Sequence, residues 1–249
     1  PLPSLRTELI GRVADLERVA DALAEHRLVS IVGPGGAGKT TLALAAANSV
    51  LVSFPSGVVF VELASVNDGG GIPRAVAEAA GVEGAAASEV SSLTRHIARR
   101  PILLVLDNCE HLLDECAEFI DELLDAGSEA TVLTTSREPH GVDGEIVLPL
   151  GSLQAAAPEL FVVRARVAAP GLAVAVDDAR VTHLCTRLDG LPLAIELAAA
   201  QLAHLGLDDL VSRLDASLEL SKKGRSRAGG RHLTLDRTIA WSYDLLDES

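Results

Sequence analysis

The sequence predicts an α/β fold, a parallel sheet with helices on both faces, followed by an all-α helical segment. Three observations point there. Five short apolar runs alternate with helical patterns up to about residue 150, as strands do when crossover helices join them. A glycine-rich turn separates the first run from the helix after it. From about Ala155 the strand signal stops and only helical periodicity continues.

Taken in order, residues 12–25 place Val13, Leu16, Val19, Ala20 and Leu23 at helical spacing, giving an amphipathic helix. LVSIV (28–32) is a β-branched run that suits a buried parallel strand. The glycine turn leads into TLALAAANSV, a helix. GVVFVEL (57–63) is the second strand, and helical stretches lie near 73–80 and 89–99. PILLVLD (101–107) is the third strand, and 110–126 is an acidic amphipathic helix. ATVLTTS (130–136) and EIVLPL (145–150) complete the sheet. Beyond it, 155–168, 177–188, 191–204 and 207–214 read as helices, broken at Pro170-Gly171 and at Gly190. The expected domains are therefore 1–150, 151–220 and a last segment, 221–249.

Composition narrows the function. Hydrophobic residues make up 48% of the 249, but aromatics only 2%, so the core must be aliphatic. No apolar run is long enough to span a bilayer and no signal-peptide pattern opens the chain, so we expect a soluble protein with no membrane partner. Cys109, Cys116 and Cys185 form no disulfide framework and suit a reducing cytoplasm. Cys109 lies close to His111, but no second pair at zinc spacing completes a site. The expectation is buried thiols and a surface histidine, and the same for His183 and Cys185. With no methionine, and a helical pattern that simply stops at Ser249, we expect further segments on one or both sides.

The net charge is −14, concentrated in the first 150 residues, where 22 acids face 10 bases. Such a surface repels phosphate backbones and argues against direct nucleic-acid binding. The one basic cluster, Lys222 to Arg227 with Arg231, is rich in Gly and Ser and reads as a solvated linker.

The glycine turn is Gly33-Pro34-Gly35-Gly36-Ala37-Gly38-Lys39-Thr40, a full match to G-x-x-x-x-G-K-[ST] with a strand before it and a helix after it. Glycines let backbone N–H groups converge on an anion, and the helix N-terminus, from Lys39 through Thr41, adds partial positive charge. Lys39 supplies a compact ammonium to the β- and γ-phosphates, and Thr40 offers a hydroxyl to Mg2+. Lys39 is also the only lysine in the first 221 residues. The ligand implied is a purine nucleotide, ATP or ADP, with Mg2+.

Asp107, at the end of the third strand, is the expected second Mg2+ residue. Asn108 follows it, so Glu110 is the nearest acid that could orient or deprotonate an attacking water, or else it is a helix-start carboxylate favoured by the dipole. Arg137, at the end of the fourth strand, faces the same crevice. It is either a γ-phosphate sensor or a surface arginine paired with Glu138 or another acid.

Ile10-Gly11-Arg12, GPGGAGKT, LLVLDNCEHLL, TSREP and GLPLAIELAAA (190–200) together resemble the signal-transduction ATPases of the STAND class. The likeness is to the NB-ARC (AP-ATPase) modules of bacterial regulators of the AfsR/SARP and large LuxR types. It implies a five-stranded parallel P-loop NTPase sheet of the ASCE kind, an ARC1-like helical domain over 151–220, and the start of a winged helix within 221–249. By that resemblance Ile10, Gly11 and Arg12 pack against adenine, and Arg137 senses the γ-phosphate. Pro192 touches the nucleotide from the helical domain, although a proline after a glycine stop is also an ordinary helix start. Val13 stands where the family usually has an acid.

The resemblance also implies a slow regulatory ATPase. ADP bridging the two domains holds a resting form, and exchange for ATP releases flanking DNA-binding or sensor domains or permits homo-oligomerisation. Two alternatives stand beside it. One is an AAA+-like work-performing ATPase, the other a nucleotide-bound scaffold that does not hydrolyse.

Overall fold

The computed structural model describes residues 2–3, 8–82, 90–127 and 129–223, of which 217–223 by backbone alone. Most of the segment expected to hold a linker and the start of a winged helix, 224–249, lies outside the described residues. The chain forms two compact units, Pro1–Gly33 with Lys39–Leu150, and Pro34–Gly38 with the residues from Gly151 on.

In the first unit, α1 (Val13–Glu25) precedes β1 (Leu28–Val32), α2 (Lys39–Ser49) and β2 (Val58–Glu62). Helices α3 (Gly71–Ala80) and α4 (Val90–Ala98) lead to β3 (Leu103–Asp107), then α5 (Leu113–Asp125), β4 (Thr131–Ser136) and β5 (Ile146–Pro149). The five strands are parallel in the order β2-β3-β4-β1-β5. Every residue of β3 and β4 is buried, which requires a covering layer on each face of the sheet. The core around β2, β3 and β4 is aliphatic, with Leu104, Leu106, Ile72, Leu93, Ile97 and Ile120 at or near zero exposure. This is the five-stranded P-loop ATPase fold expected from the sequence. Val13, assigned to the apolar stripe of α1, is instead 65% exposed, while Val19 and Leu23 are buried. Its place in the first turn puts it beyond the edge of the core.

The order of strands matters for function. β4 lies between β1 and β3, so the loop after β1 and the carboxylate ending β3 are held apart by one strand. The C-terminal edges of all three face the same crevice, where ligands of such sheets bind.

The second unit is helical, with α6 (Ala157–Ala168), α7 (Ala179–Arg187), α8 (Pro192–Ala200) and α9 (Leu207–Lys223). Ala165 on α6 and Ala194, Ala198 and Ala199 on α8 are buried, and small side chains let these packed helices approach closely. Arg164 on α6 ion-pairs with Glu196 on α8 at 2.9 Å. Asp178 caps α7 by accepting the Arg180 N–H at 2.9 Å. Gly190, at φ 62°, turns the chain into α8, and a Cβ there would meet the Gln154 nitrogen at 3.2 Å. The last helix runs well past the 207–214 expected, and Lys222 and Lys223 belong to it rather than to a linker.

Candidate functional site

The loop after β1 is shaped by contacts only glycine permits. A Cβ on Gly33 would lie 2.3 Å from the backbone oxygen of Leu150, and the Gly33 N–H donates to Ser136 O at 3.2 Å. Gly36 and Gly38 adopt φ of 73° and 90°, a region side chains disfavour. Ala37 is fully buried. α2 begins at Lys39, so the loop delivers the chain into a helix N-terminus, the arrangement that binds phosphate. The Lys39 ammonium donates to Gly33 O at 2.9 Å, which folds its side chain back over the loop. Burial pushes its pKa below the ordinary lysine value; Glu110 and Asp107 oppose that shift and Arg137 adds to it.

Thr40 and Asp107 meet across the gap left by β4. The Thr40 hydroxyl donates to both carboxylate oxygens, at 2.8 and 3.0 Å. Asp107 is 3% exposed. From β4, the Thr135 hydroxyl donates to Asp107 Oδ1 at 2.6 Å and accepts the Asn108 N–H at 2.9 Å. A buried carboxylate ringed by hydroxyls, next to a threonine of the phosphate loop, is a hard oxygen donor set that fits Mg2+. Thr41 is half-buried in the first turn of α2.

Asn108 adopts the left-handed conformation, φ 64° and ψ 50°. Asn tolerates that region better than most residues. The chain then makes a tight turn over Cys109–His111 before α5, and this turn presents Glu110. Its Oε1 accepts from Arg137 Nε at 2.9 Å. Its Oε2 is buried with no hydrogen-bond partner among the described residues. Arg137, about half exposed, thus pairs with Glu110 rather than with its neighbour Glu138.

Lys39, Thr40, Asp107, Glu110 and Arg137 therefore gather at one edge of the sheet. Ile10, Gly11 and Arg12 lie just before α1; Gly11 has φ 68°, and Arg12 is buried and paired with Asp15 at 3.0 Å. Within the second unit, Pro192 opens α8, its ring 4.0 Å from where a Cβ on Gly38 would stand. The Leu193 N–H donates to Gly36 O at 3.2 Å. Sequence reasoning gave Thr135 no role, although two threonines and a serine in a buried strand were the available signal. It also missed that Cys109, Cys116 and His140 converge.

Fold and site together define a P-loop NTPase domain. Residues 23–136 match the family model described as "AAA domain". The chain is similar to "Putative HTH-type transcriptional regulator Rv0890c" of Mycobacterium tuberculosis (strain ATCC 25618 / H37Rv), 42% identical over 231 residues. That alignment covers 91% of this chain but only 26% of the relative, so the chain spans about a quarter of the regulator's length. Among solved structures, the fold resembles a Walker-type ATPase of Pyrococcus abyssi, with TM-score 0.57 and 11% identity, covering 90% of this chain and 77% of that one. It also resembles a Signal Transduction ATPase with Numerous Domains carrying a tetratricopeptide repeat sensor, from Pyrococcus horikoshii. There the TM-score is 0.50 at 17% identity, covering 95% of this chain and 40% of that one. No described helix is long and apolar enough to cross a membrane.

Proposed function

We propose that this chain is the nucleotide switch of a bacterial transcriptional regulator of the STAND class, binding ADP or ATP with Mg2+ and hydrolysing ATP slowly. The observation that carries the reading is the Arg137–Glu110 pair at the edge of the phosphate site. The 42% identity to a protein named as a regulator supports the same assignment.

Lys39 and the N–H groups of the loop would hold the phosphates, while Thr40 and Asp107 would hold Mg2+, which would supply neutralisation of the phosphate charge. With ADP, Arg137 stays paired with Glu110. A γ-phosphate offers the guanidinium a more highly charged partner, so ATP draws Arg137 away and frees Glu110. The freed carboxylate, whose second oxygen is already without a partner, accepts a proton from the attacking water. ADP and ATP thus favour different arrangements of the helical unit and of the flanking DNA-binding or sensor domains, by differential affinity for each. Gly11 and Arg12 lie against the base, and Pro192 is the contact from the helical unit. ATP-dependent homo-oligomerisation belongs to the same reading.

The test compares ADP and ATP by calorimetry and by solution scattering. We expect tighter ADP binding and distinct scattering profiles. Arg137→Ala should erase the discrimination, and Glu110→Ala should stop turnover while sparing binding. Equal affinity for both nucleotides with superimposable profiles would overturn the switch. The match of residues 23–136 to the AAA domain family supports a second reading, a work-performing ATPase. Fast turnover stimulated by a protein or nucleic acid would favour that one.

A further inference from the structure

We propose that Cys109, Cys116 and His140 form a binding site for a thiophilic divalent cation of the zinc class, distinct from the phosphate site. The three residues come from separate places in the first unit: the turn after β3, α5, and the loop after β4. All three are buried, the two cysteines completely. One ligand atom from each lies within 4.8 Å of the other two. A tetrahedral zinc site, with Zn–S near 2.3 Å and Zn–N near 2.0 Å, sets its ligand atoms about 3.5–3.8 Å apart. The cluster therefore closes on a cation by no more than about 1 Å.

The histidine carries the strongest sign of a missing partner. Its Nε2 is buried and makes no hydrogen bond among the described residues. Its Nδ1 lies 3.3 Å from Glu145 Oε1, and both side chains are essentially buried. Glu145 also accepts the His140 N–H at 3.1 Å and the Gly141 N–H at 2.8 Å, which fixes its carboxylate beside the ring. With Nδ1 facing this carboxylate, Nε2 is the ring nitrogen left for a ligand. This is the carboxylate–histidine arrangement that orients a metal-binding imidazole. Buried polar nitrogens are rarely left unmatched, and two thiols beside this one form a soft donor set. A Cys109–Cys116 disulfide would use the sulfurs and leave Nε2 unmatched, which is why the cation is the better fit. Three protein ligands leave a fourth position for water.

The spacing of these residues hid the site. Cys109 and Cys116 are one β-to-α turn apart, and His140 lies beyond another strand, so no local Cys/His pair marks it. Bound there, a cation would fix the turn that presents Glu110.

The test titrates the reduced 249-residue chain with Co2+ in excess Mg2+, then displaces the Co2+ with Zn2+. We expect one Co2+ per chain, with a near-ultraviolet sulfur-to-cobalt charge-transfer band and visible bands of tetrahedral intensity. Cys116→Ala and His140→Leu should each lower apparent affinity by on the order of tenfold or more, and Glu145→Gln by about 10- to 100-fold. Circular dichroism checks that each variant is folded, and the wild-type spectrum stands even where a variant is not. No charge-transfer band in the wild type would overturn the site. So would equal binding by wild type and the Cys116→Ala/His140→Leu double variant, or a Cys109–Cys116 disulfide by mass spectrometry in protein that takes up no Co2+ once reduced.

Discussion

Lys39 shows what a buried charge costs a folded chain. Its side chain is largely buried, and burial outweighs the carboxylates that support its charge. Its folded-state pKa is therefore below 10.5, so over the range just below that value the unfolded chain binds more protons. Stability then rises with pH in that window, and at neutral pH the cost of burying the charge is present in full. We predict that Lys39→Met raises the thermal midpoint of the nucleotide-free protein at neutral pH, and that the gain narrows as pH rises towards 10.5. Scanning fluorimetry across that range measures it. Lys39 and Thr40 are candidates from sequence because phosphate chemistry needs those residue types in a fixed local order, and Asp107, 67 residues beyond Thr40, because it ends an apolar strand. Thr135 and His140 are not, since their partners lie 28 and 5 or more residues away and are chosen by strand pairing and loop closure.

Elements were legible where their pattern was long, and their limits failed where tertiary packing took over. β3 and β4 are apolar runs bounded by turn residues and lie within two residues of their expected limits, whereas α9 continues past the expected end at Leu214. The helix expected over 110–126 begins only at Leu113, after a tight turn, because the left-handed Asn108 leaves no mark in the hydrophobic period. Between β1 and α2 the decisive contact is that of Gly33 with the backbone after β5. A methyl group there meets the Leu150 oxygen at 2.3 Å, and neither partner is a flexible side-chain end. We predict that Gly33→Ala costs about 1–3 kcal/mol, seen as a lower urea midpoint with an unchanged m-value. An intact midpoint would mean that β5 can yield.

At the scale of the whole molecule, ligand binding and stability are linked. A nucleotide that binds only the folded chain, present at a hundred times its Kd, adds about 2.7 kcal/mol. For a chain of this size that amounts to several degrees, at roughly 2–4 °C per kcal/mol. We predict such a shift with ADP and Mg2+, and its disappearance in Lys39→Ala, by thermal melts. The hydroxyls of β4 have a further consequence, for how the chain finds this fold. Thr134 donates to Ser30 of β1 at 2.8 Å, and Thr135, on the opposite face, donates to Asp107 of β3. Sliding β4 by one residue would exchange the two faces and strand both hydroxyls and the aspartate in the interior, at about 1–3 kcal/mol for each orphan. The middle strand thus checks its own alignment against both neighbours at once. A chain that has paired its sheet correctly has, by the same act, set Thr135 against Asp107 at the edge where Thr40 joins them.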